Sequence, residues 1–280
     1  MEYVPVNVTA SFPFIQKNEL YKTVKPYGAD FSTTTLPRSN LKTNLVDGIC
    51  VTDMRGLKKP FTFEENGFEV LKFKPSLPYE DFANQAKVER LYCRELGEFL
   101  ADHFQASAVQ IFETQVRRRH SSFPDGFVDI SVGYQPAMRP HVDATIEHTR
   151  DKVITLNGEL AEELLERDWV YLNTWRPLRG PLRDWPLALC DPSTVDPKND
   201  FIATDNIIKG EYAENIGLHH AEKQRWYYLR DQLAEELLVF RQADSDGNTG
   251  VPHASFRLPQ TLHESPVPRE SIEARLVVYF

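Results

Sequence analysis

The chain has no apolar run approaching the length of a membrane span, so no helical transmembrane segment and no membrane partner are expected. Its first residues, MEYVPVNVTASFPF, lack a basic stretch leading into an apolar one, so no signal peptide is expected. Asn7-Val8-Thr9 fits a glycosylation sequon but carries little meaning without a secretion signal. Cysteine is scarce. Cys50, Cys93 and Cys190 lie far apart with no CxxC pair, and an odd count in a chain this long predicts reduced, buried thiols in a cytoplasmic protein. Positive charge is also short: 32 Lys and Arg against 41 Asp and Glu give a net −9. That leaves no basic face of the size nucleic acid needs. The one basic run, Arg117 to Arg119, reads equally as a solvated strand end or an anion site. There is no GxGxxG and no P-loop, which removes the nucleotide-cradling folds.

What the chain does have is 280 residues of ordinary globular composition, 41% hydrophobic and 26% charged, with nineteen prolines spread throughout. Prolines at that density favour short strands and loops over long helices. A single domain over residues 1–280 is expected, with N-terminal strands and loops over 1–75, a supporting helix over 78–105 and a β core over 107–280. Residues 45–56 and 61–73 read as short strands joined through an Asn66-Gly67 hairpin turn. Val88, Leu91, Tyr92, Leu96, Phe99, Leu100 and Phe104 form an i, i+3, i+4 stripe, the mark of a helix laid on an apolar sheet face. A shorter helix is predicted over 157–168 with Asn157 as its N-cap. From residue 169 onward nearly every segment is a short β-branched or aromatic run. The fold class is therefore mainly β with flanking helices, a sandwich or barrel.

Within this frame the segment RPHVDAT, residues 139–145, holds a histidine and an aspartate two positions apart. Pro140 biases Arg139 to extended backbone. On a strand, residues i and i+2 share a face, whereas on a helix they diverge by about 200°. His141 and Asp143 thus project side by side. The carboxylate can orient the imidazole for acid–base work, or both can bind one metal, which requires a third ligand from elsewhere. A two-histidine, one-carboxylate face with open positions suits non-haem Fe(II) oxygenases. The C-terminal third offers His253, at the start of a short strand, and a final strand, PRESIEARLVVYF. Its alternation places Ile272, Ala274, Leu276, Val278 and Phe280 on one face. Arg269, Ser271, Glu273, Arg275 and Tyr279 fall on the other, which is either a solvent face or the wall of a polar site. An arginine with a hydroxyl two residues on can hold a carboxylate. Arg275 shares the face and competes with Arg269, which is preferred.

The order HxD, distant His, then Arg-x-Ser resembles the Fe(II)/2-oxoglutarate-dependent oxygenases. The blocks VTDMRG, FTFEENGFEVLKF, NTWRPLRGPLRDWPLALCD, RWYYL, ELLVFRQADS, PHASF and PRESIEAR are similar to the fungal hydroxylase/desaturase family, which includes gibberellin-desaturase-like and cephem-methoxylase-like proteins. The resemblance implies a double-stranded β-helix (jelly-roll, cupin-like) core, with His141, Asp143 and His253 as iron ligands. It also implies that Arg269 and Ser271 bind 2-oxoglutarate. One departure stands out: Gln224 occupies a position before RWYY where the family often has histidine. Halogenating members generally lack the carboxylate, so Asp143 implies hydroxylation, desaturation or other oxidation of an aliphatic C–H of a small secondary-metabolite substrate. Two alternatives differ in the cofactor they need. An iron oxidase without 2-oxoglutarate would need the triad but not the arginine, and a catalytically silent jelly-roll, serving as a binding or heterodimer subunit, would bind no iron. Oligomeric state is open, a homodimer included.

Among the remaining candidates, Arg176 and Arg225 are expected in structural roles. His219 and His220, being adjacent on a strand, would point to opposite faces, and His148 is expected outside the metal sphere. Asn173, Trp175, Trp226, Tyr227 and Tyr228 are expected to divide between core and cavity. Loops over 118–138 and 192–222 are expected to shape substrate entry.

Overall fold

A computed structural model describes residues 5–29, 31, 34–120, 128–129, 133–208, 211–259 and 267–280. Its strands, in chain order, are β1 (Val8–Ile15), β2 (Tyr27–Ala29), β3 (Thr43–Asp53), β4 (Phe68–Lys72), β5 (Ala108–Arg118), β6 (Val128–Asp129), β7 (Gly133–Tyr134) and β8 (His141–Val142). They continue with β9 (Trp169–Pro177), β10 (Leu187–Cys190), β11 (Phe201–Ile208), β12 (Glu211–Leu218), β13 (Trp226–Tyr228), β14 (Glu236–Asp244), β15 (His253–Ser255) and β16 (Glu270–Tyr279). Among the described residues they form a nine-stranded sheet, β1-β3-β13-β10-β15-β8-β12-β11-β2, and a five-stranded sheet, β4-β14-β9-β16-β5. A separate pair joins β6 to β7.

Period-two alternation decides what each strand buries. On β16, Ile272, Ala274, Leu276 and Val278 enter the cluster beneath the long helix, as the sequence predicts. On β14, Leu237 and Val239 join that cluster while Leu238 and Phe240 turn to the other face. Strand β10 splits likewise, with Leu187 and Leu189 packing against Trp175, Leu238 and Phe240 of the five-stranded sheet. Ala188 and Cys190 face the opposite way, toward Phe12 and Trp226. The two sheets therefore share an apolar seam, and the polar inward positions of β9 and β16 lie beside it. Strand β1 buries Val8, Ala10, Phe12 and Phe14 alternately, and its Pro13 is accommodated because β1 is a sheet edge.

The expected long helix is interrupted. A 3-10 turn, Tyr79–Ala83, ends at Asn84, whose side chain then caps a new helical start at Gln85. The chain continues through a π-helical stretch, Val88–Cys93, into a regular α-helix, Arg94–Phe104. Val88, Tyr92, Leu96 and Leu100 are fully buried on the five-stranded sheet, and the three aliphatic ones are each worth about 1.5–3 kcal/mol of burial. The predicted seating of this helix holds even though its first turns are irregular.

Three local expectations are corrected. Residues 61–73 are not one strand of a hairpin. Thr62 caps a single helical turn, Phe63–Asn66, by accepting from the Glu65 N–H, and Gly67 closes it at φ 73°. The strand after it, β4, pairs with β14, while β3 pairs with β1 and β13. Asn157 stands at the start of the expected helical stretch, a 3-10 turn Gly158–Leu160 that runs into α-helix Ala161–Glu166, but its side chain does not cap it. It is also the last residue of an α-helix the sequence did not predict, Ile146–Asn157, capped at its start by Thr145, and its amide donates to the Val153 carbonyl instead. That first helix went unread because it buries little, only Thr149 and Val153. The thiols are free, as expected, but Cys190 alone is buried; Cys50 is exposed and Cys93 half-buried. Among the described residues no helix is long and apolar enough to cross a membrane.

Candidate active site

Strands β8 and β15 are neighbours, and their register places His141 directly opposite His253. The two imidazole centroids are 4.4 Å apart. Asp143 follows β8 by one residue. Its backbone N–H donates to Gln242 Oε1 at 2.7 Å, which fixes the turn that aims the carboxylate. Asp143 Oδ1 lies 3.2 Å from His141 Nε2 and 3.9 Å from His253 Nε2. One ligand atom from each of the three residues falls within 4.8 Å of the others, the spacing a single metal ion needs.

The hydrogen bonds around the triad prepare it for that role. His141 Nδ1 lies 2.7 Å from the Arg139 carbonyl and His253 Nδ1 lies 3.3 Å from the Val251 carbonyl. A carbonyl only accepts, so each Nδ1 carries a hydrogen and Nε2 is left as the nitrogen that faces inward for a metal. Burial, aided by His141, pushes the His253 pKa down to about 3, so this imidazole is neutral across the physiological range. For Asp143 burial acts the other way, but Arg275 and His141 outweigh it and hold the carboxyl well below its ordinary value.

The carboxylate is divided between two tasks. Oδ1 faces the histidines, while Oδ2 accepts from Asn173 Nδ2 at 2.7 Å and Arg275 Nε at 2.9 Å. Both donors come from the five-stranded sheet, where Arg275 and Asn173 are register partners on β16 and β9. Asn173 also donates to Glu273 at 3.1 Å, and Arg275 pairs with Glu273 and Glu113. The sequence did not reveal these supports. Their one signal was a lone Asn on the inward positions 171, 173 and 175 of an otherwise apolar strand.

Arg269 and Ser271 sit on the same inward side of the final strand. Arg269 is 2% exposed, and one Nη donates to the Trp185 carbonyl and Ser255 Oγ. Its backbone N–H is fixed by Asp184, and the guanidinium lies 5.5 Å from the Trp175 ring centroid. Its Nε is buried without a partner, and so is Ser271 Oγ. A small cavity runs between Arg269 and the two histidines, walled by Trp175, Leu187 and Phe240. Burial, then the nearby Arg117, lowers the Arg269 pKa to about 9. A buried cation with idle donors beside a cavity has the environment of an anion receptor. Arg275, by contrast, is fully engaged with Asp143, Glu273 and Glu113.

A larger cavity of about 640 Å³ adjoins the first, sharing His141, Arg117 and Arg275. Phe112, Met138, Arg139, Lys152, Tyr171 and Tyr212 are among its walls. Of the two expected entry loops, 192–222 is largely the β11–β12 hairpin, whose Asn206, Tyr212 and Asn215 line the cavity. Within 118–138, Gln135 to Met138 line it, and 121–127 and 130–132 lie outside the described residues. Trp175 borders the small cavity, whereas Trp226 and Tyr228 are core and Tyr227 packs on Phe61. His148 lines the large cavity away from the triad. His219 is buried with Nδ1 on the Ile15 carbonyl, and His220 packs on Phe14. Gln224 donates to the His219 carbonyl and plays no part in the triad. Arg176 is structural, stacked on Phe82 and Tyr92 and bonded to the Ala234 carbonyl; Arg225 bonds the Glu222 carbonyl. In the basic run, Arg119 pairs with Asp184 and Arg118 with Glu270, while Arg117 reaches the cavity.

Residues 12–279 match the family described as "Oxidoreductase/YMDC permease-like domain". The chain is 30% identical over 240 residues, 82% of its length and 83% of the relative's, to the alpha-ketoglutarate-dependent dioxygenase phiK of a fungal species. It is 25% identical over 299 residues to the gibberellin cluster GA4 desaturase of Gibberella fujikuroi, covering 83% of this chain and 86% of the relative. Its fold is similar to that of the iron and alpha-ketoglutarate-dependent endoperoxidase NvfI. There the TM-score is 0.86 at 24% identity, over 98% of this chain and 98% of the other. The two sheets are thus a jelly-roll core with helices outside it.

Proposed function

The chain belongs to the oxidoreductase family of fungal Fe(II)- and 2-oxoglutarate-dependent dioxygenases, and on that premise we propose which residues act and on what. His141, Asp143 and His253 hold the Fe(II), and Arg269 with Ser271 holds the far carboxylate of 2-oxoglutarate. The reaction oxidises an aliphatic C–H of a small secondary-metabolite substrate, by hydroxylation, desaturation or a related step. The observation that carries this reading is the pair of idle buried donors, Arg269 Nε and Ser271 Oγ, across a small cavity from the triad. Donors left idle in a core cost about 1–3 kcal/mol each, a cost that a bound carboxylate removes. The donor set fits the metal as well: two imidazole Nε2 atoms and one carboxylate Oδ1.

When bound, Fe(II) and 2-oxoglutarate supply the oxidising chemistry, with dioxygen consumed and succinate and CO2 released. The protein's own contributions are geometric. Asn173 and Arg275 hold Asp143 Oδ2 so that Oδ1 stays toward the histidines. Arg139 and Val251 carbonyls fix the imidazole tautomers. Trp175, Leu187 and Phe240 keep bulk water from the cosubstrate cavity. The larger cavity, adjoining at His141, places the substrate within reach of the same centre.

The test is an anaerobic titration of 2-oxoglutarate into the Fe(II)-loaded protein, read by the visible charge-transfer band of a chelated keto acid. The expected result is a band in the wild type, absent in His253→Ala and formed only at much higher 2-oxoglutarate in Arg269→Ala. Bound iron with no band would replace this reading with an iron oxidase that needs no 2-oxoglutarate. No bound iron would leave a binding jelly-roll.

A further inference from the structure

The larger cavity has a charge balance opposite to that of the chain. The protein carries a net −9. Yet the cavity is lined by four basic side chains, Arg117, Arg139, Lys152 and Arg275, and only two acidic ones, Glu113 and Asp143. Both acids are committed to Arg275, and Asp143 also faces the triad. Arg139 and Lys152 have no acidic partner among the described residues. Arg139 Nε is buried with no hydrogen-bond partner at all. Lys152 projects from the Ile146–Asn157 helix one turn after His148, so both reach the cavity from one helix face. Its ammonium lies 5.6 Å from the centroid of the Phe112 ring, another wall of the same space.

Uncompensated cations are seldom left in a half-enclosed wall unless something anionic arrives. The other walls are mixed: Pro13, Phe112, Met138 and Tyr171 are apolar or aromatic, whereas Gln135, Asn206 and Asn215 offer neutral polar groups and no charge. A volume of about 640 Å³ is that of a pocket for a compact organic molecule. We propose that the substrate of this site is a compact carboxylic acid, its carboxylate received by Arg139 with Lys152 as the second cation. This rests on the function proposed above and adds the chemical class of the substrate. Arg139 immediately precedes the Pro140-His141 segment, so a carboxylate fixed there sets the distance from the substrate's anchored end to the oxidising centre. The substrate must then come from a reaction that leaves a free acid rather than an ester or amide.

The experiment uses three acids, 1-adamantanecarboxylate, decanoate and trans-cinnamate, each against its own primary amide. Binding is measured by calorimetry on protein loaded with Fe(II) and 2-oxoglutarate under anaerobic conditions. At least one acid is expected to bind about tenfold or more tightly than its amide. Arg139→Gln should bring that ratio close to one, Arg139→Lys should retain part of it, and Lys152→Gln should reduce it about two- to threefold. The inference is overturned if no acid outbinds its amide on the wild type, or if the preference survives Arg139→Gln. It is also overturned if the acids displace 2-oxoglutarate, seen as loss of the charge-transfer band, because they would then occupy the cosubstrate site. The band is recorded before any probe is added, so failure of the cosubstrate assignment is read separately from failure of the acid preference.

Discussion

Asp143 shows how one side chain is split between chemistry and support. Its Oδ1 faces two imidazoles, and its Oδ2 is held by an amide and a guanidinium from the opposite sheet. Asn173 is the finer of these supports, because the same Nδ2 also reaches Glu273. Removing it frees Asp143 to rotate and sets two buried carboxylates closer to direct repulsion. Asn173→Ala is expected to weaken Fe(II) binding by about 10- to 100-fold while leaving the three ligands in place. Competition with a chelator of known affinity under anaerobic conditions measures it; unchanged affinity would show that Arg275 suffices alone. The His141, Asp143 and His253 cluster was legible in the sequence because HVD is a local pattern and His253 falls on a recognisable short strand. Asn173 and the triple engagement of Arg275 were not, since both depend on a cross-strand register that no local pattern records. The choice between Arg269 and Arg275 turns on the same fact: only the structure shows which guanidinium has idle donors.

At the scale of elements, two joints hold the site's strands in place. Gly250 lies in the turn between β14 and β15, three residues before His253. A Cβ there would come 2.3 Å from the Gln242 carbonyl oxygen and 2.6 Å from a Val142 methyl. The first contact is backbone and cannot yield cheaply. Gly250→Ala should therefore push His253 away from His141, lowering metal affinity at least tenfold, a loss isothermal titration with Mn(II) would register. The second joint is Arg55, just past β3 of one sheet, which grips Glu236 at the start of β14 in the other through two hydrogen bonds of 2.8 and 2.7 Å. Burial raises the Glu236 pKa, but Arg55 and the Leu233 N–H more than offset it, so the folded value lies below the ordinary 4.5. A carboxyl depressed by folding stabilises above its unfolded pKa, and that stability disappears as pH falls through the lower folded value. Glu236→Gln should cost about 1.5–3 kcal/mol near neutral pH, with the gap from wild type closing as pH falls below the ordinary carboxyl value and through the lower folded one. Urea denaturation at a series of pH values reads this, and a gap independent of pH would refute it. Neither joint was visible beforehand. The strands were legible from alternation, and the Arg94–Phe104 helix from its stripe. The Ile146–Asn157 helix was missed because it lays few apolar side chains on the core, and the turn at Phe63–Asn66 because Asn-Gly closes a helical turn as readily as a hairpin.

Across the whole molecule, the site is divided between the two sheets. His141 and His253 stand on the nine-stranded sheet, with Asp143 one residue beyond β8, while Ser271 belongs to the five-stranded one and Arg269 directly precedes it. On the proposed assignment, a 2-oxoglutarate chelated at the triad and gripped by Arg269 and Ser271 would act as a strut between sheets whose apolar seam already joins them. Binding energy of that kind appears as stability by mass action: at 100 times its dissociation constant a ligand adds about 2.7 kcal/mol. For a chain of this size each kcal/mol moves Tm by about 2 °C or somewhat more. Redox-inert Mn(II) alone should thus raise Tm by about 5 °C, and 2-oxoglutarate should add a similar increment only when Mn(II) is present. Arg269→Gln should keep the metal increment and lose most of the 2-oxoglutarate one, whereas His253→Ala should lose both. An equal response to 2-oxoglutarate with and without Mn(II) would mean that the keto acid does not bridge the two sheets, and the division of labour between them would have to be redrawn.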